Sequence, residues 1–508
     1  MMGTVRQGPG RRLQWDLYDL FSLVLVAAVL SAAWAHAAAP VLDVGSGKEL
    51  FFDERFIAES DGVAITMNPA VKAGVVLVPD RPWEDFRLTS YFTVVQDADL
   101  CRMYYSCFSK DQWHTPNSWE KHAFLCCAES KDGVHWEKPS YGIVEFEGST
   151  DNNIILRSVV DGTVFVDPAA PPAKRYKLLH TVGPHAGGLR VSYSADGVHF
   201  TTPEAPVSQW CPDSQQNAFW DPSLEQYVVY LRGRPDMGVP VKNRLVVRAA
   251  MADIEAPWEA KPEIVFQTDA RDRPEVDFYT NACVEYPWAD DAYFMFPAAY
   301  HHYPPEMGND GLLDSSIAAS RDGILWVRPD RKPYVSMGEA SEWDACFVMM
   351  GVGLVRQGKH LYQYYSGVDL SHGGTRGMSD DERSQWRRWG QIGRVVQRLD
   401  GFFSADADYE GGRLLTPPIT FTGDRLVLNI NTTAAGHAKV AVTDAEGNEL
   451  PGFTLADADK IMTNDVAHIV TWSGKADLSS LQKKAVRLRF EMRSAKLYAF
   501  QFAPGEML

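Results

Sequence analysis

The chain is 508 residues long, more than one ordinary hydrophobic core accommodates, so at least two domains are expected. Hydrophobic residues at 45% and charged residues at 23% are globular values, which excludes a disordered polymer or a fibre. Acidic residues outnumber basic ones by 66 to 49, giving a formal charge of -17, and general nucleic-acid binding is excluded with it.

Residues 1–39 read as an address. Arg6, Arg11 and Arg12 precede an apolar run over residues 20–35 and a small-residue stretch at 37–39. That order of parts belongs to a secretory signal peptide. The run is short of the roughly 20 apolar residues of a membrane span, although Asp16 and Asp19 keep an uncleaved anchor as the other reading. No later segment is apolar enough to cross a membrane. The expectation is an exported protein, periplasmic or secreted, with a mature chain starting near residues 38–40.

The seven cysteines, Cys101, Cys107, Cys126, Cys127, Cys211, Cys283 and Cys346, are odd in number and contain no CxxC pair. Most lie in apolar, strand-like runs, which favours buried free thiols over a disulfide framework. No His/Cys spacing supports zinc.

A recurring turn organises the middle of the chain. Ser130, Asp132, Gly133 and Trp136 return as Ser194, Asp196, Gly197 and Phe200, and again as Ser320, Asp322, Gly323 and Trp326. A degraded copy runs from Asp253 to Trp258. Spacing of roughly 60 residues is the scale of a propeller blade with long loops. Asp-Gly supplies the turn and the aromatic anchors the returning strand. Between these turns lie five pairs of an apolar strand, a polar turn and an aromatic-rich strand, as in SYFTVVQDADLCRMYYSCF and GVGLVRQGKHLYQYYSG. The fold expected is all-β: a five-bladed β-propeller over residues 40–402, then a β-sandwich over 403–508, where short alternating strands continue without the turn. A polar stretch near 378–389 is the exception with helical periodicity.

Five blades with S-x-D-G-x-x-W hairpins and a C-terminal sandwich resemble the invertase, levansucrase and arabinanase superfamily of glycoside hydrolases, families 32 and 43 above all. The segment from Trp343 and Asp344 through GVGLVRQGKHLYQYYSGV is also similar to family 130. PWEDFRLTSYFTVVQD, AESKDGVHWEKP and DNNIIL resemble exported bacterial proteins of a family-32-like group. The resemblance implies an exported glycoside hydrolase acting on an oligosaccharide or polysaccharide. The chain lacks that superfamily's NDPNG box, RDP triplet and Glu-Cys pair, so the resemblance does not extend to invertase or fructanase activity.

In a propeller the innermost strands converge on one axial pocket, and glycoside hydrolysis needs two carboxyl groups flanking the bond. Acidic residues at the expected strand entrances are Glu84 and Asp85, Asp213, Asp277, and Glu342 with Asp344. The resemblance makes Glu84, Asp213 and Asp277 the nearest matches to the superfamily's carboxylates. Asp213 is then the base or transition-state stabiliser, Asp277 or Glu84 the general acid, and Asp344 a fourth catalytic candidate. Trp83, Trp220, Tyr279 and Trp343 offer aromatic platforms, and Arg87, Asn152 and Asn153 offer partners for hydroxyls. Glu285 is a rival acid, and His301 and His302 are expected near the mouth. Asp132, Asp196 and Asp322 recur with the turn and are expected to be structural. No cofactor is expected; an axial Ca²⁺ is compatible with the aspartates, but no motif calls for it. P-loop, dinucleotide-binding, HExxH and GxSxG motifs are absent. Two further readings stand beside the hydrolase: a non-catalytic glycan-binding propeller and a glycoside phosphorylase.

Overall fold

The computed structural model describes residues 40–505, apart from 112–113, 182–186, 241–242, 375–378, 380–381 and 383–388. The expected export signal and most of the polar stretch near 378–389 lie outside the described residues. No described helix is long and apolar enough to cross a membrane.

The chain is all-β, with a propeller arrangement of antiparallel sheets that follow one another along the sequence. The first contains Arg87–Asp97, Leu100–Phe108, Ala123–Ser130 and Ile154–Arg157. The second contains Thr163–Val166, Tyr176–Thr181 and Leu189–Ser194. Asn217–Asp221, Gln226–Arg232, Val246–Met251 and Glu263–Phe266 form the third. Val284–Glu285, Tyr293–Met295, Ala318–Ser320 and Trp326–Val327 form the fourth.

The expected fifth blade does not stand alone. Phe347–Met350, Val355–Gln357, His360–Val368, Gln391–Arg398 and the early strand Val71–Leu77 belong to an eight-stranded sheet. Its other part, Val276–Phe278, Ala298–His302 and Gly311–Ser315, comes from segments that flank and interrupt the fourth sheet. One parallel pairing, Leu313 with Phe347, joins the two parts. The pairing of Val71–Leu77 with Gln391–Arg398 closes the ring with strands from its two ends.

Polar groups tie the inner strands together around the axis. Val164 N donates to Thr93 Oγ1 (3.3 Å), Thr163 Oγ1 donates to the Gln216 carbonyl, and Thr93 bridges to Val352. The Gln215 amide joins two further segments, donating to the Met350 carbonyl (3.1 Å) and accepting from Ala282 N (2.7 Å). Buried in this way, each polar group finds its partner on another sheet.

The C-terminal residues form a ten-stranded sheet that also takes in four early strands. Leu42–Gly45, Lys48–Leu50, Glu59–Asp61 and Val63–Met67, expected at the start of the propeller, pair here instead. Two strands of 20 and 18 residues, Arg425–Asp444 and Val486–Ala503, run through the sheet. Their apolar faces enclose a core that includes Phe51, Phe56, Leu428, Trp472, Phe490 and Phe500.

The recurring turn works between sheets. Ser130 Oγ accepts from Gly133 N (2.9 Å), and Asp132 Oδ1 accepts from Val134 N and His135 N (2.8 Å each). The His135 side chain and these amides hold the Asp132 carboxyl well below the usual carboxylate range. The turn then docks on the middle strand of the neighbouring sheet. Tyr364 donates to the Gly133 carbonyl (2.7 Å) while Trp136 packs edge-on against the same tyrosine (5.6 Å). Tyr230 likewise donates to the Gly323 carbonyl (2.7 Å) and meets Trp326 edge-on (6.1 Å). At the second copy Arg102 donates to the Asp196 carbonyl (2.8 Å) and Tyr104 meets Phe200 (6.4 Å). The degraded copy replaces the latch with an ion pair, Glu255 with Lys177 (2.6 Å).

Removing one latch hydroxyl leaves a buried carbonyl without its donor, so Tyr364→Phe and Tyr230→Phe should each cost about 1–3 kcal/mol in urea unfolding. Gly133 and Gly142 share a left-handed backbone (φ +70 and +69), but an added Cβ meets Tyr364 Oη at 2.7 Å only at Gly133. Gly133→Ala is therefore expected to destabilise more than Gly142→Ala.

Candidate functional site

The entrances of the inner strands converge on a cleft of about 530 Å³. The first sheet supplies Arg87, Ser90 and Tyr91, and the loop before the third sheet supplies Asp213. Arg232 and Arg244 come from the end of the third sheet's second strand and the approach to its third. Tyr279 follows Val276–Phe278, and Phe347 and Met349 enter from the other side. Trp119, Trp389 and His372 complete an aromatic rim.

Tyr279 is the hub of this wall. Arg232 lies over its ring (4.1 Å to the centroid) and donates to its carbonyl through Nε (3.2 Å) and Nη2 (2.9 Å). Arg244 lies over the same ring at 4.9 Å. The Tyr279 hydroxyl hydrogen-bonds His372 Nε2 (3.0 Å). Burial raises the Tyr91 hydroxyl well above its ordinary range, and Tyr279 beside it adds to that shift. Burial also pushes the Arg87 guanidinium down to about 10, so it stays charged at neutral pH.

Among the candidate acids, Asp213 lines the cleft. Its backbone is left-handed (φ +54), its side chain is 43% exposed, and Arg234 Nη1 and Arg232 Nη1 lie 3.5 and 3.7 Å from its carboxylate. Arg232 Nη1 also donates to the Asp213 carbonyl (2.6 Å), which sets the loop. Asp277 sits behind the lining, buried, held by Arg244 Nη1 (3.2 Å), Arg244 N (3.2 Å) and His302 Nε2 (3.0 Å). His301 pairs instead with Asp314 (3.1 Å), and that hydrogen bond raises its pKa.

The other two acids are enclosed elsewhere. Glu84 is completely buried, accepting from Tyr105 Oη (2.6 Å), Lys138 Nζ (2.7 Å) and the amides of Asp80 and Arg81 (2.9 and 3.1 Å). It fixes the entrance loop of the first sheet. Asp344 is buried between Tyr365 Oη (2.8 Å) and Lys72 Nζ (2.6 Å).

Of the expected sugar-binding residues, Arg87 and Tyr279 line the cleft. Trp83 donates to Asn153 Oδ1 (2.9 Å), and Asn153 donates on to Tyr105 Oη (2.8 Å), inside the first sheet. Asn152 donates to the Val144 carbonyl (2.7 Å). Trp220 packs edge-on against Tyr227 (4.9 Å), and Trp343 stacks on Tyr365 (5.3 Å). Asp85 ends the short turn Pro82–Glu84, and Glu342 accepts from Glu339 N (2.7 Å) in an exposed loop. None of these seven reaches the cleft lining.

Sequence reasoning passed over Tyr91, Arg232, Arg244 and His372, because no motif surrounds them. It also passed over Asp161, a buried carboxyl at the entrance of the second sheet. Burial raises Asp161, while Thr181 Oγ1 (2.8 Å) and Gln216 Nε2 (2.9 Å) donate to it. Among the described residues no group of three or more His, Cys, Asp and Glu side chains is placed to hold a metal ion. All seven cysteines are free thiols.

No family model matches the chain, and no curated protein sequence is similar to it. Solved structures similar to it include the catalytic domain of the Coprinopsis cinerea GH62 α-L-arabinofuranosidase, at 12% identity and a TM-score of 0.44, covering 66% of this chain and 98% of that one. The α-L-arabinofuranosidase of Podospora anserina in complex with cellotriose is similar at 12% identity and a TM-score of 0.41, covering 65% and 97%. An N-acetylgalactosamine deacetylase from F. plautii, in complex with blood group B trisaccharide, is similar at 14% identity and a TM-score of 0.40, covering 70% and 95%.

Glu285 gives a pH test. Burial, reinforced by Asp221, raises its carboxyl from 4.5 to about 7. The folded chain then keeps a proton that the unfolded chain releases, so this residue's contribution to stability falls as pH climbs through that window. Glu285→Gln should raise the melting temperature at pH 8 and change it little at pH 4.

Proposed function

We propose that the protein is a glycoside hydrolase that binds a glycan end in the axial cleft. The single observation that carries this reading is the composition of the cleft. Aromatic faces from Tyr91, Tyr279, Trp119 and Trp389 surround an exposed carboxylate, Asp213, at the mouth of a propeller. Aromatic rings take the C–H faces of sugars, and fixed polar groups take their hydroxyls.

Asp213 is assigned the role of base or charge stabiliser, and Asp277, behind Arg244, that of its acid partner. The fifth blade is read in the propeller half of the eight-stranded sheet, and the C-terminal sheet is read as an accessory sandwich. Export follows from the expected signal peptide. One observation favours a second reading, glycan binding without turnover: Asp213 is the one carboxylate among the described lining residues.

Turnover decides between them. The mature protein is expected to release reducing sugar from a member of a plant and algal polysaccharide panel. Asp213→Asn and Asp277→Asn should each lower kcat at least a hundredfold with folding retained, since asparagine tolerates the left-handed backbone at 213. Binding without release by the unaltered protein selects the second reading, and full activity in both variants overturns the residue assignment.

A further inference from the structure

Two of the seven free thiols meet inside the first sheet. Cys107 lies on Leu100–Phe108 and Cys126 on Ala123–Ser130, with their sulfurs 3.7 Å apart. The register puts Cys107 opposite Phe124 and Tyr105 opposite Cys126, so the two cysteines are diagonal neighbours on one face. Both are completely buried, in an apolar cluster with Leu88, Phe92, Tyr105 and Phe124. Cys127, the next residue, belongs to the opposite face and packs with Tyr104 and Leu125.

The two strands carry the segment between them to the cleft. Phe108 pairs with Ala123 at its base, and the residues between include His114 and Trp119, which line the cleft. Cys107 also donates to the Trp83 carbonyl (3.3 Å), in the turn that leads to Arg87. A sulfur–sulfur bond is about 2.0 Å long, so bonding asks each sulfur to move by about 1 Å. It removes the hydrogen that Cys107 gives to Trp83, but a thiol is a weak donor and the loss is small.

We propose that Cys107 and Cys126 are a disulfide-forming pair, bonded when the chain folds in an oxidising compartment, and that the bond braces the segment carrying His114 and Trp119. This rests on the export reading above only for where the oxidant is met. The oxidant is a low-molecular-weight disulfide such as oxidised glutathione. One cysteine thiolate attacks it and displaces a glutathione thiolate; the other then attacks the mixed disulfide and displaces the second. Two electrons pass to the glutathione disulfide, and the two cysteine protons end on the two glutathione thiols. Burial pushes both cysteine thiols above their ordinary value, so thiolate is scarce once the sheet has packed. The bond therefore forms during folding, and once enclosed it is out of a reductant's reach.

Refolding of the full chain tests the proposal. The reduced, unfolded protein is refolded beside oxidised or reduced glutathione. The folded fraction is then unfolded again, alkylated at its free thiols and digested with trypsin. Cleavage after Arg102, Lys110, Lys121 and Lys131 separates Cys101, Cys107 and the Cys126–Cys127 pair. The expected product of the oxidised arm is peptide 103–110 linked to peptide 122–131, with fragmentation placing the bond at Cys126 and the alkyl group at Cys127. The reduced arm gives both peptides alkylated and unlinked. The linked protein should melt about 2 °C or more above the reduced one. Full alkylation in both arms overturns the proposal, as does a bond from Cys107 to any other cysteine. A linked protein that melts at or below the reduced one overturns the brace. Expression of the chain in an oxidising and in a reducing cytosol gives the same comparison without a refolding step. Neither experiment uses the export route, so failure of the export reading and failure of this pair are told apart.

Discussion

The turn-to-tyrosine latch between neighbouring sheets is the interaction on which the rest of the structure depends. A propeller sheet has little stability of its own, because its two faces are buried only when sheets stand on either side. Each Asp-Gly turn presents a carbonyl and an aromatic ring outward, and the neighbouring sheet answers with a hydroxyl or a guanidinium on its middle strand. Tyr364 with Gly133 and Tyr230 with Gly323 show the same geometry in different parts of the ring. The left-handed glycine is required twice over, by the backbone angle and by the tyrosine oxygen that fills the space of a Cβ. The repeating unit is therefore an interface as much as a turn.

At the axis a different chemistry applies. Amide and hydroxyl groups join the inner strands there. Gln215, Gln216, Thr93 and Thr163 are consumed in this way. What remains for a ligand is the end of the axis, where strand entrances splay apart and loop residues such as Asp213 and Tyr279 take over. The division explains why polar residues adjacent in sequence have opposite fates. Asp213 is exposed to the cleft, while Gln215, two residues on, is fully buried and ties its segment to Met350 and Ala282.

Sequence reasoning went furthest with local features. The three Asp-Gly turns, the structural role of their aspartates, the all-β class and the free thiols all follow from short-range chemistry, and the structure shows each of them. The eight-stranded sheet was not legible, because the strands that interrupt the fourth sheet alternate no differently from blade strands. The pairing of residues 42–67 with the C-terminal sheet was equally hidden, since strand partners far apart in sequence leave no local mark.

The site divides along the same line. Residue type and spacing alone placed an acid at Asp213, an aromatic at Tyr279 and a cation at Arg87 near strand entrances. They also offered Glu84 and Asp344, whose lysine and tyrosine partners come from segments distant in sequence and enclose them. Whether a carboxylate faces solvent or a buried lysine is settled by which chain segments pack against it. The convergence of Arg87, Arg232 and Arg244 is the extreme case. No two of them share a motif, and only closure of the ring brings their charges to one wall. The sequence by itself determined the turns and the strands they join, because those depend on neighbours a few bonds away. The tertiary structure alone decided which polar groups were spent on holding the sheets together and which were left facing the cleft, because burial and charge pairing are set by the whole ring.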